Sequence, residues 1–162
     1  DTFELDLNAA QVVYMRLSEA MSDAQHESWL AEYERRLEAM RARKHHIAFI
    51  LDTTYAQPLT AQQRRIQSAW NGRTTSLVKT TTLGTAFVVP SAVARGIITA
   101  ISWVQPPVVP QRMCRNLDDA IDWTVDTCEG AGVRFPLFQR SEARRQFSAP
   151  LERIGFKTTT LF

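Results

Sequence analysis

The sequence is constrained most by a short apolar run at residues 47–52, which reads Ile-Ala-Phe-Ile-Leu-Asp and ends in a carboxylate. A strand with one face in water alternates apolar and polar residues, whereas a strand buried on both faces is apolar almost throughout. The run lies between two segments with helical periodicity, which indicates a sheet covered by helices. We therefore expect an α/β fold in which residues 47–52 form a strand near the middle of the sheet.

Two strands and a long helix are predicted before this run. Residues 3–7 alternate apolar and acidic side chains, and residues 12–17 are interpreted as a second strand, so the two segments are expected to form a hairpin. Ser22 or Asp23 is placed to cap a helix that extends to about residue 44. The apolar positions of this helix recur at helical spacing: Trp29, Leu30, Tyr33, Leu37 and Met40.

A second helix and another strand follow the run. Thr60 is expected to be the N-cap of this helix, and the Asn71-Gly72 pair is expected to end it. The Thr-rich residues 73–82 contain a lysine but lack the glycine pair of a phosphate-binding loop, which argues against nucleotide binding. Residues 82–89 end in Ala-Phe-Val-Val, which predicts a further buried strand.

Residues 92–104 are predicted to form a helix that is apolar around most of its circumference. Such a helix must be buried on more than one side. The sheet and the C-terminal extension are one pair of surfaces that could cover it; a protein partner, a second copy or a lipid tail is the other possibility. The residues expected to bind a partner are these: Ile97, Ile98, Ile101, Trp103 and Val104.

A last strand and a last helix complete the predicted domain. Residues 108–114 are expected to form a strand, and Pro110 places it at or near an edge of the sheet because proline cannot donate a ladder hydrogen bond. Asn116 is expected to cap a final helix, whose first turn carries two acidic residues at the favourable end of the helix dipole.

The sequence divides into a domain at residues 1–129 and a basic, Phe-rich C-terminal extension at residues 130–162. The extension carries six Lys or Arg against two Asp or Glu. Its aromatic content predicts packing on the domain or on another copy rather than disorder. This excess of positive charge is small and no RNA-binding motif accompanies it, which disfavours nucleic-acid binding. Four phenylalanines are expected to dock the extension: Phe135, Phe138, Phe147 and Phe156.

The predicted order of elements, ββαβαβαβα, resembles that of a known family. With Ile-Leu-Asp closing the third strand and Ala-Arg-Gly-Ile-Ile-Thr-Ala-Ile-Ser-Trp at residues 94–103, the chain resembles the STAS domain of bacterial anti-sigma-factor antagonists, and most closely its divergent, lipid-binding-like branch. The resemblance covers about residues 3–127. It implies a mixed five-stranded sheet covered by about four helices, and a regulatory, protein-binding role.

The chain departs from the family pattern at one functional position. In the antagonists, Asp-Leu-Ser-Gly is followed by Ile-Asp-Ser-Ser-Gly, whose first serine takes phosphate from a partner kinase. Counting from Asp52 places Ala61 at that serine, with Thr60 one residue before it. The hydroxyl is therefore missing, which disfavours the kinase-switch role, and Thr60 is interpreted as a helix cap.

No familiar catalytic motif occurs in the sequence, and we expect a chain that is not an enzyme and uses no cofactor. The first hypothesis is a non-catalytic interaction domain that binds a protein partner or a second copy of itself. The second is a binder of a small apolar ligand or lipid, and the third is a hydrolase or transferase. The candidate ligand loop follows the central strand and includes Asp52, Thr53, Thr54, Tyr55 and Thr60.

Metal binding and membrane insertion are not expected. His45 and His46 are adjacent on a predicted strand, so their side chains point to opposite faces and cannot easily share a metal ion. No apolar run is long enough to span a bilayer. Cys114 and Cys128 lack the spacing of a redox pair and are expected to be free buried thiols. These features predict a cytoplasmic, soluble protein.

Overall fold

The computed structural model describes residues 2–6, 10–17, 20–92, 94–96 and 106–133. Its strands form one sheet in the order β1-β2-β3-β4-β5, in which β1 is antiparallel to β2 and the later strands are parallel to one another. The prediction of an α/β fold is confirmed, and β3, the apolar run, is the middle strand. The strands are β1 (Thr2–Asp6), β2 (Ala10–Arg16), β3 (His46–Asp52), β4 (Thr82–Val88) and β5 (Gln111–Cys114).

Three helices are described in full, α1 (Asp23–Arg43), α2 (Ala61–Thr81) and α3 (Leu117–Gly130). Residues 92 and 94–96 are also helical. Each of these three helices begins at a polar N-cap. Its side chain accepts a hydrogen bond from a backbone N–H of the first turn, which satisfies one of the unpaired donors there. The predicted caps Thr60 and Asn116 are confirmed, and of the two candidates for α1 the cap is Ser22 rather than Asp23.

The helices cover β3 from both sides. Ile47, Phe49 and Leu51 pack in the cluster that contains the buried faces of α1 and α2. Ala48 and Ile50 belong to the cluster on the opposite face, which contains α3. Because successive side chains of a strand point to opposite faces, burial on both sides requires an unbroken apolar sequence. This arrangement explains why residues 47–51 are all apolar.

The second helix is longer than predicted. The expected end at Asn71-Gly72 is wrong, because α2 continues for nine more residues to Thr81. Its buried positions continue the helical stripe beyond the glycine, with Thr74 and Leu77 following Trp70. The threonine hydroxyls donate to carbonyl oxygens four residues earlier, so they find partners inside the helix. Burial of one face therefore outweighs the low helix propensity of glycine and threonine here.

Other boundaries differ less, and some predictions fall outside the described residues. The last strand begins at Gln111 rather than at Val108, and it forms an edge of the sheet directly after Pro110, as predicted. Most of the predicted helix at residues 92–104 and the C-terminal extension beyond Val133 lie outside the described part of the chain. The same holds for the predicted partner-binding and docking residues: Ile97, Ile98, Ile101, Trp103, Val104, Phe135, Phe138, Phe147 and Phe156.

Two glycines provide a matched test of how closely α3 packs on the sheet. A Cβ at Gly84, in β4, would lie 2.8 Å from Cη2 of Trp123 and 3.2 Å from the carbonyl oxygen of Pro110. We expect Gly84→Ala to lower the free energy of unfolding by about 1–3 kcal/mol, because α3 must move away from the sheet. Gly72, in α2, has open space around its Cβ position, so Gly72→Ala should raise the free energy of unfolding by about 0.5–1 kcal/mol.

Urea denaturation followed by circular dichroism measures both effects. Equal stability of the Gly84→Ala variant and the unsubstituted protein would show that α3 does not pack closely on β4.

Candidate functional site

A cavity of about 920 Å³ lies at the carboxyl edge of the parallel strands. Leu17 follows β2, Thr53 follows β3 and Val89 follows β4, and all three line it. The carboxyl ends of parallel strands meet at one edge of a sheet, and ligands of open α/β sheets bind outside that edge. The position and the volume are therefore those of a small-molecule site.

The walls of this cavity are mostly apolar. They come from the segment before α1, from α1 itself, from the loop between β3 and α2, and from the residues after β4. Polar groups are a minority among the described lining residues. The apolar lining residues are Leu17, Ala20, Met21, Trp29, Ala56, Pro58, Leu59, Phe87, Val89, Pro90 and Ala94, and the polar ones are His26, Thr53, Thr54, Gln57, Thr60, Gln63, Gln67 and Ser91.

Asp52 holds the loop that forms the floor of the site. Its carboxylate is buried, with the residue only 2% exposed. Oδ2 accepts a 2.8 Å hydrogen bond from the Tyr14 hydroxyl and lies 3.6 Å from Nε of Arg16. Oδ1 accepts hydrogen bonds from the backbone N–H and the hydroxyl of Thr54. The carboxylate therefore ties β2, β3 and the following turn together.

Tyr14 is a permanent donor in this arrangement. Burial, the nearby negative charge of Asp52 and the hydrogen bond to that carboxylate all raise the pKa of the Tyr14 phenol far above its usual range. The phenol therefore remains protonated across the physiological pH range. It does not release this proton at neutral pH, which makes the pair a structural contact rather than an acid–base couple.

The start of α2 is attached to the segment before α1. Oε1 of Gln63 accepts a 3.0 Å hydrogen bond from the backbone N–H of Thr60. Its Nε2 donates to the carbonyl oxygen of Met21 at 2.7 Å. In return, the Thr60 hydroxyl accepts from the Gln63 backbone N–H, which completes a capping box. These bonds fix one wall of the cavity and use the polar atoms of both side chains.

His26 and Trp29 differ from the other polar groups of the lining. His26 is 2% exposed, and its Nε2 has no hydrogen-bond partner among the described residues. Nε1 of Trp29 is likewise buried without a partner in the described part of the chain. The two rings are stacked, with centroids 5.9 Å apart, and the aromatic row continues through Tyr33 to Trp70.

The charge state of His26 follows from its burial. Desolvation lowers the pKa of the His26 imidazole below its ordinary value of 6.5, although the nearby carboxylates of Asp23 and Glu27 act in the opposite direction. The imidazole is therefore neutral at pH 7, so it places no positive charge in the cavity.

The structure places some residues of the predicted ligand loop in the cavity lining and others outside it. Thr53, Thr54 and Thr60 line the cavity. Asp52 supports the loop from within the fold and is not among the described lining residues, nor is Tyr55, which is 50% exposed and lies beside the Arg16 guanidinium. The structure thus brings together three of the five.

Sequence reasoning missed His26 as a site residue. It placed Trp29 on the apolar face of α1, and this residue does pack against the core cluster while it also lines the cavity. A signal was available for His26, because it precedes Leu30 by four residues and Tyr33 by seven, and so continues the apolar stripe of α1. The stripe predicts burial, but it does not distinguish a core position from the wall of a cavity.

Metal binding and thiol catalysis find little support in the described residues. Among them, no group of three or more metal-ligating side chains is close enough to hold a metal ion. Cys114 and Cys128 are buried free thiols, and burial raises their pKa to about 11 and about 12. Both thiols are therefore protonated near pH 7, where a nucleophile needs the thiolate. No helix within the described ranges is long and apolar enough to cross a membrane.

No known family model matches the sequence, and no curated protein matches it either.

The buried carboxylate provides the first prediction for this site. Asp52→Asn keeps the size of the side chain but removes its charge beside Arg16 and one acceptor oxygen. We expect it to lower the free energy of unfolding by about 1–3 kcal/mol. Glu34→Gln, at an exposed ion pair with Arg73, is the control and should change it by less than about 1 kcal/mol. Urea denaturation measures both, and equal losses would argue against a supporting role for Asp52.

A second prediction concerns pH. The unfolded chain takes up a proton on His26 near pH 6.5, whereas the folded chain resists it, so the folded state loses stability as the pH falls below about 6.5. We expect this decrease to be smaller in His26→Gln and unchanged in His46→Gln, whose side chain is exposed. Urea denaturation at several pH values between 5 and 8 measures the slope. The same slope in both variants would contradict the burial of a neutral imidazole.

Proposed function

We propose that this chain is a non-catalytic binding domain that holds a small, mostly apolar molecule in the cavity at the carboxyl edge of its sheet. The observation that carries the proposal is the cavity itself. It has about 920 Å³ of space, and apolar residues outnumber polar ones in its described lining. Pockets that bury small organic ligands have volumes of a few hundred to about 1,000 Å³ and linings of this kind.

The hydrogen bonds of the polar residues support binding over catalysis. Asp52 accepts from Tyr14 and Thr54, and Thr53 donates its hydroxyl proton to the carbonyl oxygen of Val88. Thr60 caps α2. A hydrolase or transferase built on this loop would need a nucleophile or base within reach of a substrate. These side chains instead hold the backbone around the cavity.

We also propose a STAS-like relationship for the domain, from the order of its elements. Two strands, a helix, a strand, a helix and a strand are followed by a helical stretch, a further strand and a last helix. Ala61, which falls at the position where the antagonists carry their phosphorylated serine, has no hydroxyl, and Thr60, one residue before it, caps α2. The interaction role expected from the sequence depends on residues 97–104, so it stays a hypothesis separate from the cavity.

The binding proposal can be tested with a neutral apolar dye. N-phenyl-1-naphthylamine becomes fluorescent in an apolar site, and for a ligand of this size we expect a dissociation constant between about 10 µM and 1 mM. Ala56→Trp would fill part of the cavity, so it should weaken dye binding by at least about tenfold. Ala69→Trp is the matched control, because Ala69 is exposed on α2 and does not line the cavity.

Circular dichroism establishes that both variants are folded. Absence of saturable dye binding to the unsubstituted protein, or equal binding by the two tryptophan variants, would refute the proposed site.

A further inference from the structure

We infer that the C-terminal extension, residues 134–162, docks on its own domain. Its site is on the face of the sheet that carries α3, which we call the α3 face, and it covers β2 there. Three observations support this docking: the burial of β2 on that face, the position of the chain at Val133, and the charges of α3 and of the extension. The inference does not rest on the proposed function.

On the α3 face, β2 is buried as deeply as the middle of the sheet. Val12 and Tyr14 belong to the cluster that contains α3, and both are 0% exposed. The helix α3 does not account for this burial, because it lies over β4, with β3 and β5 on either side. β2 is two strand spacings from β4, which is about 10 Å, whereas a helix with its side chains extends only about 5–6 Å from its axis. Another segment must therefore cover β2.

The other described elements lie elsewhere. The helices α1 and α2 pack on the opposite face of the sheet. The connection from β4 to β5 begins and ends on that opposite face, since Ala94 lines the proposed cavity with Trp29 and Val108 lines a second cavity with Trp70. The extension is the longest segment outside the described residues, which makes it the segment able to cover β2.

The chain turns into the α3 face where α3 ends. Gly132 has a φ of +79°, and the backbone N–H of Val133 donates to the carbonyl oxygen of Cys128 at 2.9 Å. These are the features of a Schellman motif, which ends a helix and redirects the chain. Val133 is buried in the same cluster as Val12 and Tyr14. The extension therefore starts inside this core, and about three extended residues span the distance of two strands.

The charges of α3 and of the extension are complementary. The extension carries six Lys or Arg against two Asp or Glu, and five phenylalanines lie among them. The helix carries acidic residues and no basic one: Asp118, Asp119, Asp122, Asp126 and Glu129. Opposite charges attract over about 8–10 Å at physiological salt, so α3 favours the return of the extension along its own side. The phenylalanines supply the apolar area that burial of β2 requires.

Docking on β2 also connects the extension to the candidate ligand loop. The hydroxyl of Tyr14 donates to the carboxylate of Asp52, which accepts from Thr54 in the loop. A hydrogen bond of this kind is stronger where water is excluded. The extension thus supports the floor of the cavity from the α3 face.

Two neighbouring residues of β2 provide a matched pair for the test. Val12 is buried on the α3 face and Val13 on the opposite face, and both are 0% exposed. Each is replaced in turn, as Val12→Cys or Val13→Cys, in a full-length chain whose natural thiols are removed by Cys114→Ala and Cys128→Ala. Labelling with excess N-ethylmaleimide, followed by mass spectrometry, measures the reactivity of the introduced thiol. Both thiols should be protected while the extension is unchanged.

Two phenylalanines of the extension are then changed together, as Phe138→Ser and Phe147→Ser. Labelling at position 12 should become at least about tenfold faster, because burial of one large apolar side chain shifts an equilibrium by at least that factor. Labelling at position 13 should change by less than about twofold, since α1 and α2 still cover it. Circular dichroism selects the variants that remain folded, and Phe147→Ser alone is used if the double variant unfolds.

Protein concentration distinguishes docking within one chain from docking between two copies. Protection by the chain's own extension does not depend on concentration, whereas protection by a second copy is lost on dilution. We expect the same labelling rate at position 12 at about 1 µM and about 100 µM protein. Faster labelling on dilution, an unchanged rate in the phenylalanine variant, or an equal increase at positions 12 and 13 would overturn the inference.

Discussion

The burial of β3 on both of its faces is the constraint on which the rest of the structure depends. Phe49 packs toward α1 and α2, and Ile50 packs toward the face covered by α3. A strand in this position must be apolar throughout, and its parallel neighbours need crossover connections that place helices over the sheet. The carboxyl ends of β2, β3 and β4 then meet at one edge, where the loops between strands and helices enclose a cavity.

Asp52 marks the boundary between this core and the cavity. The apolar run ends in a carboxylate that is buried, and its hydrogen bonds to Tyr14 and Thr54 satisfy it there. The chain can therefore leave the sheet in a fixed turn instead of a mobile loop. The polar atoms of the floor are used in this way, and apolar residues outnumber polar ones in the described lining.

Prediction from the sequence was most successful where one local signal determines the outcome. A polar residue before an amphipathic segment predicted the N-caps Thr60 and Asn116, since capping depends on only a few neighbouring residues. The same local logic failed at Asn71-Gly72, because the contacts that extend α2 come from the sheet and from α1. It correctly placed Trp29 on the packed face of α1 but did not show that this residue also lines a cavity, since a stripe of apolar positions indicates burial without indicating what lies opposite.

Local patterns in the sequence were enough to predict a helix-covered sheet around residues 47–52, because periodicity and capping are properties of short segments. They also placed Thr53, Thr54 and Thr60 at the carboxyl edge of the sheet, where the cavity lies. The tertiary structure alone decided that His26 and Trp29 face the same cavity as those threonines, and that Asp52 supports the fold from beneath it. The physical reason is that a cavity is defined by surfaces distant in sequence, whose separation depends on how complete helices pack against the sheet.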